Sequence, residues 1–136
     1  MNCFLDTNVI IYANDSRNTD KQDQAIQLVS QLMQDNNGVI STQVMQEYAH
    51  VALNKLAQRQ DVVIRQLFIL ESFKVITQSP ELIRRAIEIK SAYRISFWDA
   101  CIISAAENAQ CETLYSEDLN AGQFYSGIIV INPFAT

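Results

Sequence analysis

Four acids stand where a surface carboxylate has no reason to be. Asp6 ends the apolar run Phe4-Leu5 near the start of the chain. A short buried strand would hold Phe4 and Leu5 in a core and carry Asp6 to its carboxyl end, where open α/β sheets bind ligands. Glu47 shares a helical stripe with Val44, Tyr48 and Val51. Asp99 is in register with Ile102, Ile103 and Ala106, again an inward row. Asp118 follows a strand-like segment in Ser116-Glu117-Asp118-Leu119.

Each acid has an ordinary use. Glu47 could sit at an edge beside a lysine or arginine. Ser96-Phe97-Trp98-Asp99 fits a capping box, Asp118 an Asx-turn, and Asp6 the cap of a short helix. The joint pattern says more. Two acids end strands and two lie on inward faces at or near helix starts, and in a parallel α/β domain such positions share one edge of the sheet. Two carboxylates ~4 Å apart repel by ~4 kcal/mol at an effective dielectric of about 20. Four in one cleft require one or two divalent cations, and oxygen ligands favour Mg²⁺ or Mn²⁺.

Other chemistries are excluded by what the chain lacks. There is no G-x-S-x-G, no Cys–His pair and no P-loop, and His50 is the single histidine. Cys3, Cys101 and Cys111 have no C-x-x-C spacing, and Cys3 and Cys101 read as small core residues. Water activated by a metal and attacking a phosphodiester fits a carboxylate-only cluster. Thr7, Asn8 and Ser116 are placed to orient acids, waters or phosphate.

The elements that must position these residues follow from periodicity. A first strand spans residues 2–5, then a helical turn runs through Tyr12. A helix covers residues 19–34, with Ala25, Ile26, Val29, Leu32 and Met33 as its stripe, and Asn36-Asn37-Gly38 stops it. A very short strand at residues 39–40 precedes helices from Ser41 or Thr42 to about 56 and from 61 to 72. A third strand is expected at residues 73–77. Ser79-Pro80-Glu81 then opens a helix with a cap, a proline and an acid. Ser96 caps a helix over residues 97–109, and strands at residues 113–115 and 128–131 complete the chain. Strands alternating with helices predict an α/β domain with a parallel sheet covered on both faces.

Size and charge set the outer limits. A chain of 136 residues, 49% hydrophobic, is the size of one domain with one core. No apolar run approaches the ~20 residues that cross a bilayer. The N-terminus lacks a signal-type apolar region, so the expected location is cytoplasmic. With 15 acids against 10 bases, the net charge of −5 does not suit a generic nucleic-acid binder unless a metal offsets the acids.

The series of an apolar run into Asp6-Thr7-Asn8, a mid-chain helical Glu47, Ser96-Phe97-Trp98-Asp99-Ala100 opening a helix, and Ser116-Glu117-Asp118 after a strand resembles the PIN-domain ribonucleases. Within that family it is most similar to VapC-type toxins of bacterial toxin–antitoxin pairs. The resemblance covers nearly the whole chain. It implies a three-layer α/β/α fold with a five-stranded parallel sheet in the order 3-2-1-4-5. It also implies Mg²⁺- or Mn²⁺-dependent endonucleolytic cleavage of RNA, leaving 5′-phosphate and 3′-hydroxyl ends. The family's catalytic acids fall on Asp6, Glu47, Asp99 and Asp118, with Asp6, Asp99 and Asp118 as metal ligands and Ser116 as the strand-four hydroxyl. Its members dimerise and are held by a small antitoxin that blocks the acidic site. Lys90 and Arg94, with Arg84, Arg85 and Lys74, are candidates for a basic rim contacting RNA phosphates.

Rival readings are a non-toxic RNA-processing nuclease, a catalytically idle PIN domain that only binds RNA, and a Mg²⁺-binding phosphotransfer receiver domain. The receiver pattern wants paired acids after the first strand and a lysine after the last, and no lysine follows Lys90. A haloacid-dehalogenase-type phosphatase wants a second acid where Asn8 stands.

Overall fold

The computed structural model describes residues 1–135. The central strand is β1 (Asn2–Leu5), flanked by β2 (Gly38–Ser41) and β4 (Cys111–Tyr115). Strand β3 (Lys74–Ile76) lies outside β2, and β6 (Ile128–Ile131) lies outside β4, all parallel. Phe4 and Leu5 point to opposite faces and are both fully buried, so helices cover both sides of the sheet. That is why this strand reads as an unbroken apolar run.

The five expected parallel strands appear in the expected order, β3-β2-β1-β4-β6. An additional two-residue strand, β5 (Phe124–Tyr125), pairs antiparallel with β6 at the edge. Ser126 and Gly127 join them, both at positive φ (50° and 79°), as a tight two-residue hairpin requires. A strand of two residues after a turn-rich loop carries no period-2 signal, so periodicity does not register it.

Six helices surround the sheet. Helix α1 (Thr7–Ala13) packs on α2 (Thr19–Asp35) and α3 (Thr42–Asn54), and α4 (Gln60–Leu70) packs on α3. Helix α5 (Pro80–Tyr93) lies on α6 (Phe97–Asn108), which crosses β2, β4 and β6. The caps follow local chemistry: Ser41, Ser79 and Ser96 each accept from the backbone N–H three residues on. Residues Ala100 to Ala106 of α6 are all buried, which marks it as the core helix of its layer.

One terminus differs from the sequence expectation. Helix α2 ends on Asn36 in the left-handed conformation (φ 54°), not on Gly38. Gly38 opens β2, where a side chain would overlap the Phe73 ring. The glycine serves close packing rather than the helix stop. All three cysteines are free and buried. Among the described residues, no helix is long and apolar enough to cross a membrane.

Candidate active site

The ladder itself sets the first two site residues. The Asp6 N–H donates to Tyr115 O (3.0 Å), and the Ser116 N–H to Ile131 O (3.0 Å). Strand pairing therefore continues one residue beyond β1 and β4 and lays Asp6 beside Ser116. Here the chain order reverses across the sheet, the switch point where α/β folds form a crevice.

Asp6 is 4% exposed. Its Oδ1 accepts from the Thr7 N–H (2.7 Å) and its Oδ2 from the Ser116 hydroxyl (2.7 Å). The first bond also caps α1. Burial raises its carboxyl from 3.8 to about 7, opposed by the hydrogen bonds from Ser116 and Thr7 and reinforced by the charges of Asp118 and Asp99. A buried carboxylate held by two donors and facing two more acids lacks a positive partner.

The other residues are tied to this one. The Thr7 hydroxyl donates to Glu47 Oε1 (2.6 Å), linking α1 to α3. Asn8 spans two contacts: its Nδ2 donates to Asp118 Oδ2 (3.1 Å), and its Oδ1 accepts from the Glu117 N–H (3.3 Å). The Ser116 oxygen, besides donating to Asp6, accepts from the Asp118 N–H (3.1 Å). Asp99 sits in the first turn of α6, where its N–H donates to Ser96 Oγ (3.1 Å). Burial first, then the charge of Asp118, raises its carboxyl above the usual range.

Asp6, Glu47, Asp99 and Asp118 all line one cleft of about 560 Å³. Glu117, the neighbour of Asp118, turns away to pair with Lys21 of α2. Among the described residues, none of the four cleft acids has a lysine or arginine partner in a salt bridge. All four offer oxygen only, a donor set that suits a hard divalent cation. No three histidine, cysteine or acid side chains among the described residues are grouped closely enough to ligate one ion. An ion here would be held by one or two carboxylates and complete its shell with water, the usual habit of Mg²⁺.

The basic candidates lie elsewhere. Lys90 is exposed on α5, and Arg94 is its exposed C-cap in the left-handed region. Neither lines the cleft. Arg85 is occupied by a two-pronged pair with Glu107 (2.9 and 3.0 Å), and Arg84 and Lys74 are exposed.

Two participants escape sequence reading. Lys21 pairs with Glu117, donates to the Tyr12 hydroxyl (3.2 Å) and lies 4.6 Å from the Tyr12 ring centroid, so it braces the loop that carries Asp118. No periodicity links residues so far apart in sequence. Trp98 reads as part of a capping sequence, yet it lines the cleft at 64% exposure. Its helical position carries no signal of that exposure.

A family model described as PIN domain matches residues 3–125. No curated protein matches the chain. Solved structures do. A toxin–antitoxin complex from Klebsiella pneumoniae superposes with TM-score 0.73 at 22% identity, covering 98% of this chain and 99% of the other. A sarcin–ricin-loop-cleaving VapC toxin from Mycobacterium tuberculosis gives 0.68 at 16% identity over 85% and 89%. A VapBC complex from Rickettsia felis, bound to a promoter DNA fragment, gives 0.70 at 20% identity over 96% and 97%. At these identities the structures share the fold, and the family model matches most of the sequence: the chain belongs to the PIN-domain family.

Proposed function

We propose that the protein is a Mg²⁺- or Mn²⁺-dependent endoribonuclease and the toxin of a toxin–antitoxin pair. The observation that carries the reading is the cleft of four carboxylates with no lysine or arginine partner among the described residues, one of them buried and pushed to about 7. Such a cluster is costly unless it serves a cation. Two of the fold neighbours add the class of substrate and partner: one cleaves the sarcin–ricin loop, and another is a toxin–antitoxin complex.

Asp6, Asp99 and Asp118 are the acids from which the one or two carboxylate ligands of the ion would come, with water completing its shell. When bound, it supplies a nucleophilic water at neutral pH and offsets charge on the phosphate. Glu47, fixed through Thr7, faces the same cleft and would take a proton from the attacking water. Ser116 keeps Asp6 in one rotamer, and Asn8 does the same for Asp118. A small antitoxin would silence the enzyme by covering the cleft, and the toxin would act as a homodimer.

Purified protein is expected to cleave single-stranded RNA with Mg²⁺ or Mn²⁺ and to stop in EDTA, and Asp6→Asn to be inactive while folded by circular dichroism. Cleavage by the variant or the EDTA-treated enzyme at the wild-type rate would overturn the mechanism. Expression without an antitoxin is expected to arrest growth; normal growth with soluble, active protein would remove the toxin assignment and keep the nuclease.

A further inference from the structure

Trp98 is 64% exposed although it lines the acidic cleft. It is the second residue of α6, immediately before Asp99. A large aromatic left in water forgoes the burial that usually places it in a core. Here it is held outward. Its ring meets Phe97 edge-on with centroids 5.2 Å apart, and its carbonyl accepts from Gln43 Nε2 (3.1 Å).

Gln43 is the second, independent observation. It lines the same cleft, is 6% exposed, and its Oε1 has no hydrogen-bond partner. A buried acceptor left unpaired is destabilising until a donor meets it. From α3, exposed Gln46 and His50 also line the cleft, adding an amide and an imidazole. One wall of the cleft thus combines a flat aromatic surface with polar groups, one residue away from a carboxylate.

We propose that this wall is a nucleobase subsite, in which Trp98 stacks on one unpaired base of the RNA strand whose phosphate lies at the carboxylates. The inference rests on the ribonuclease reading and adds which part of the substrate is gripped. Stacking suits an acidic protein, because it draws on the π face of a base rather than on phosphate charge. It also selects single-stranded RNA, since paired bases keep their faces stacked on each other.

Trp98 is the single tryptophan of the chain, so its emission reports on this wall alone. Intact protein in Ca²⁺ is titrated with a short single-stranded RNA and with a duplex of the same sequence. The single strand is expected to quench the emission saturably, and the duplex to leave it nearly unchanged. Trp98→Ala is expected to weaken binding of labelled single-stranded RNA about tenfold, and Trp98→Phe to recover most of it. Emission unchanged at saturating RNA, or equal affinity of Trp98→Ala and wild type, would overturn the subsite. So would a blue-shifted emission that follows protein concentration and ignores RNA, which would assign Trp98 to contacts between copies. Cleavage measured in parallel separates the two claims. Cleavage without quenching sinks the subsite alone, and quenching without cleavage sinks the nuclease alone.

Discussion

At Asp6 two demands conflict. Its place at the end of the central strand buries it, and its neighbours in the cleft are also acids. Burial lifts its carboxyl from 3.8 to about 7. Between those values the native state binds a proton that the unfolded chain has released, so the metal-free protein loses stability as pH rises. Asp6 contributes its full share below about pH 4, and that share is gone above pH 7. The rise from 3.8 to about 7 corresponds to roughly 4 kcal/mol. In EDTA, the melting temperature of wild type is therefore expected to fall between pH 5 and pH 8. Asp6→Asn should flatten that dependence and melt higher than wild type at pH 8; parallel profiles would refute the assignment. Thr7 permits a finer test. Thr7→Val keeps the shape and removes the hydroxyl that donates to Glu47. A single-turnover rate about tenfold lower, equivalent to ~1.4 kcal/mol, is expected, with Thr7→Ser near wild type. The inward register of Glu47 and Asp99 and the strand-end positions of Asp6 and Asp118 were readable from the sequence. The exposure of Trp98 was not, because its helical position alone does not say what lies over that face.

Among elements, the Ser116-Glu117-Asp118 loop is pinned from both sides. Ser116 is tied to Asp6, the cap of α1, and Asp118 to Asn8 within α1, while Glu117 is tied to Lys21 of α2. Lys21→Met keeps an unbranched stem but removes the ammonium that ties Glu117 and lies over the Tyr12 and Phe134 rings. The pair is partly exposed, so the stability loss is expected to stay within about 1 kcal/mol. The loop should nevertheless loosen: faster amide exchange at Glu117 and Asp118, and weaker Mg²⁺ binding by calorimetry. Unchanged exchange would show that Asn8 and Ser116 suffice. Helix starts were well marked in the sequence, since Ser41, Ser79 and Ser96 cap by local geometry. Helix α2 ends at a left-handed Asn36 rather than at the glycine, and Gly38 instead leaves room for Phe73, which is distant in sequence.

For the whole molecule, a net charge of −5 opposes any polyanion. RNA affinity is expected to depend on the divalent cation and to be weak in EDTA even at low salt. Lys90 and Arg94 are exposed outside the cleft, where a strand longer than the site could reach them. If both touch phosphates, Lys90→Ala with Arg94→Ala lowers the slope of log affinity against log salt by about 1.4. An unchanged slope removes them from the footprint. The sheet order followed from the resemblance and is observed, with β5 added at the edge. That strand exists only because β6 offers it a partner.

The sequence by itself determined the alternation of strands and helices, the buried central strand and the four acids at inward or strand-end positions. These are local properties: a stripe, a cap or an apolar run is visible within a few residues. Only the tertiary structure decided the rest. It selected Asp118 over Glu117 for the cleft, because Lys21 draws Glu117 away. It left the four acids with no lysine or arginine partner among the described residues, placed Lys90 and Arg94 outside the cleft, and set Trp98 on its rim. Those outcomes depend on which surfaces meet across the sheet, and no spacing along the chain encodes that meeting.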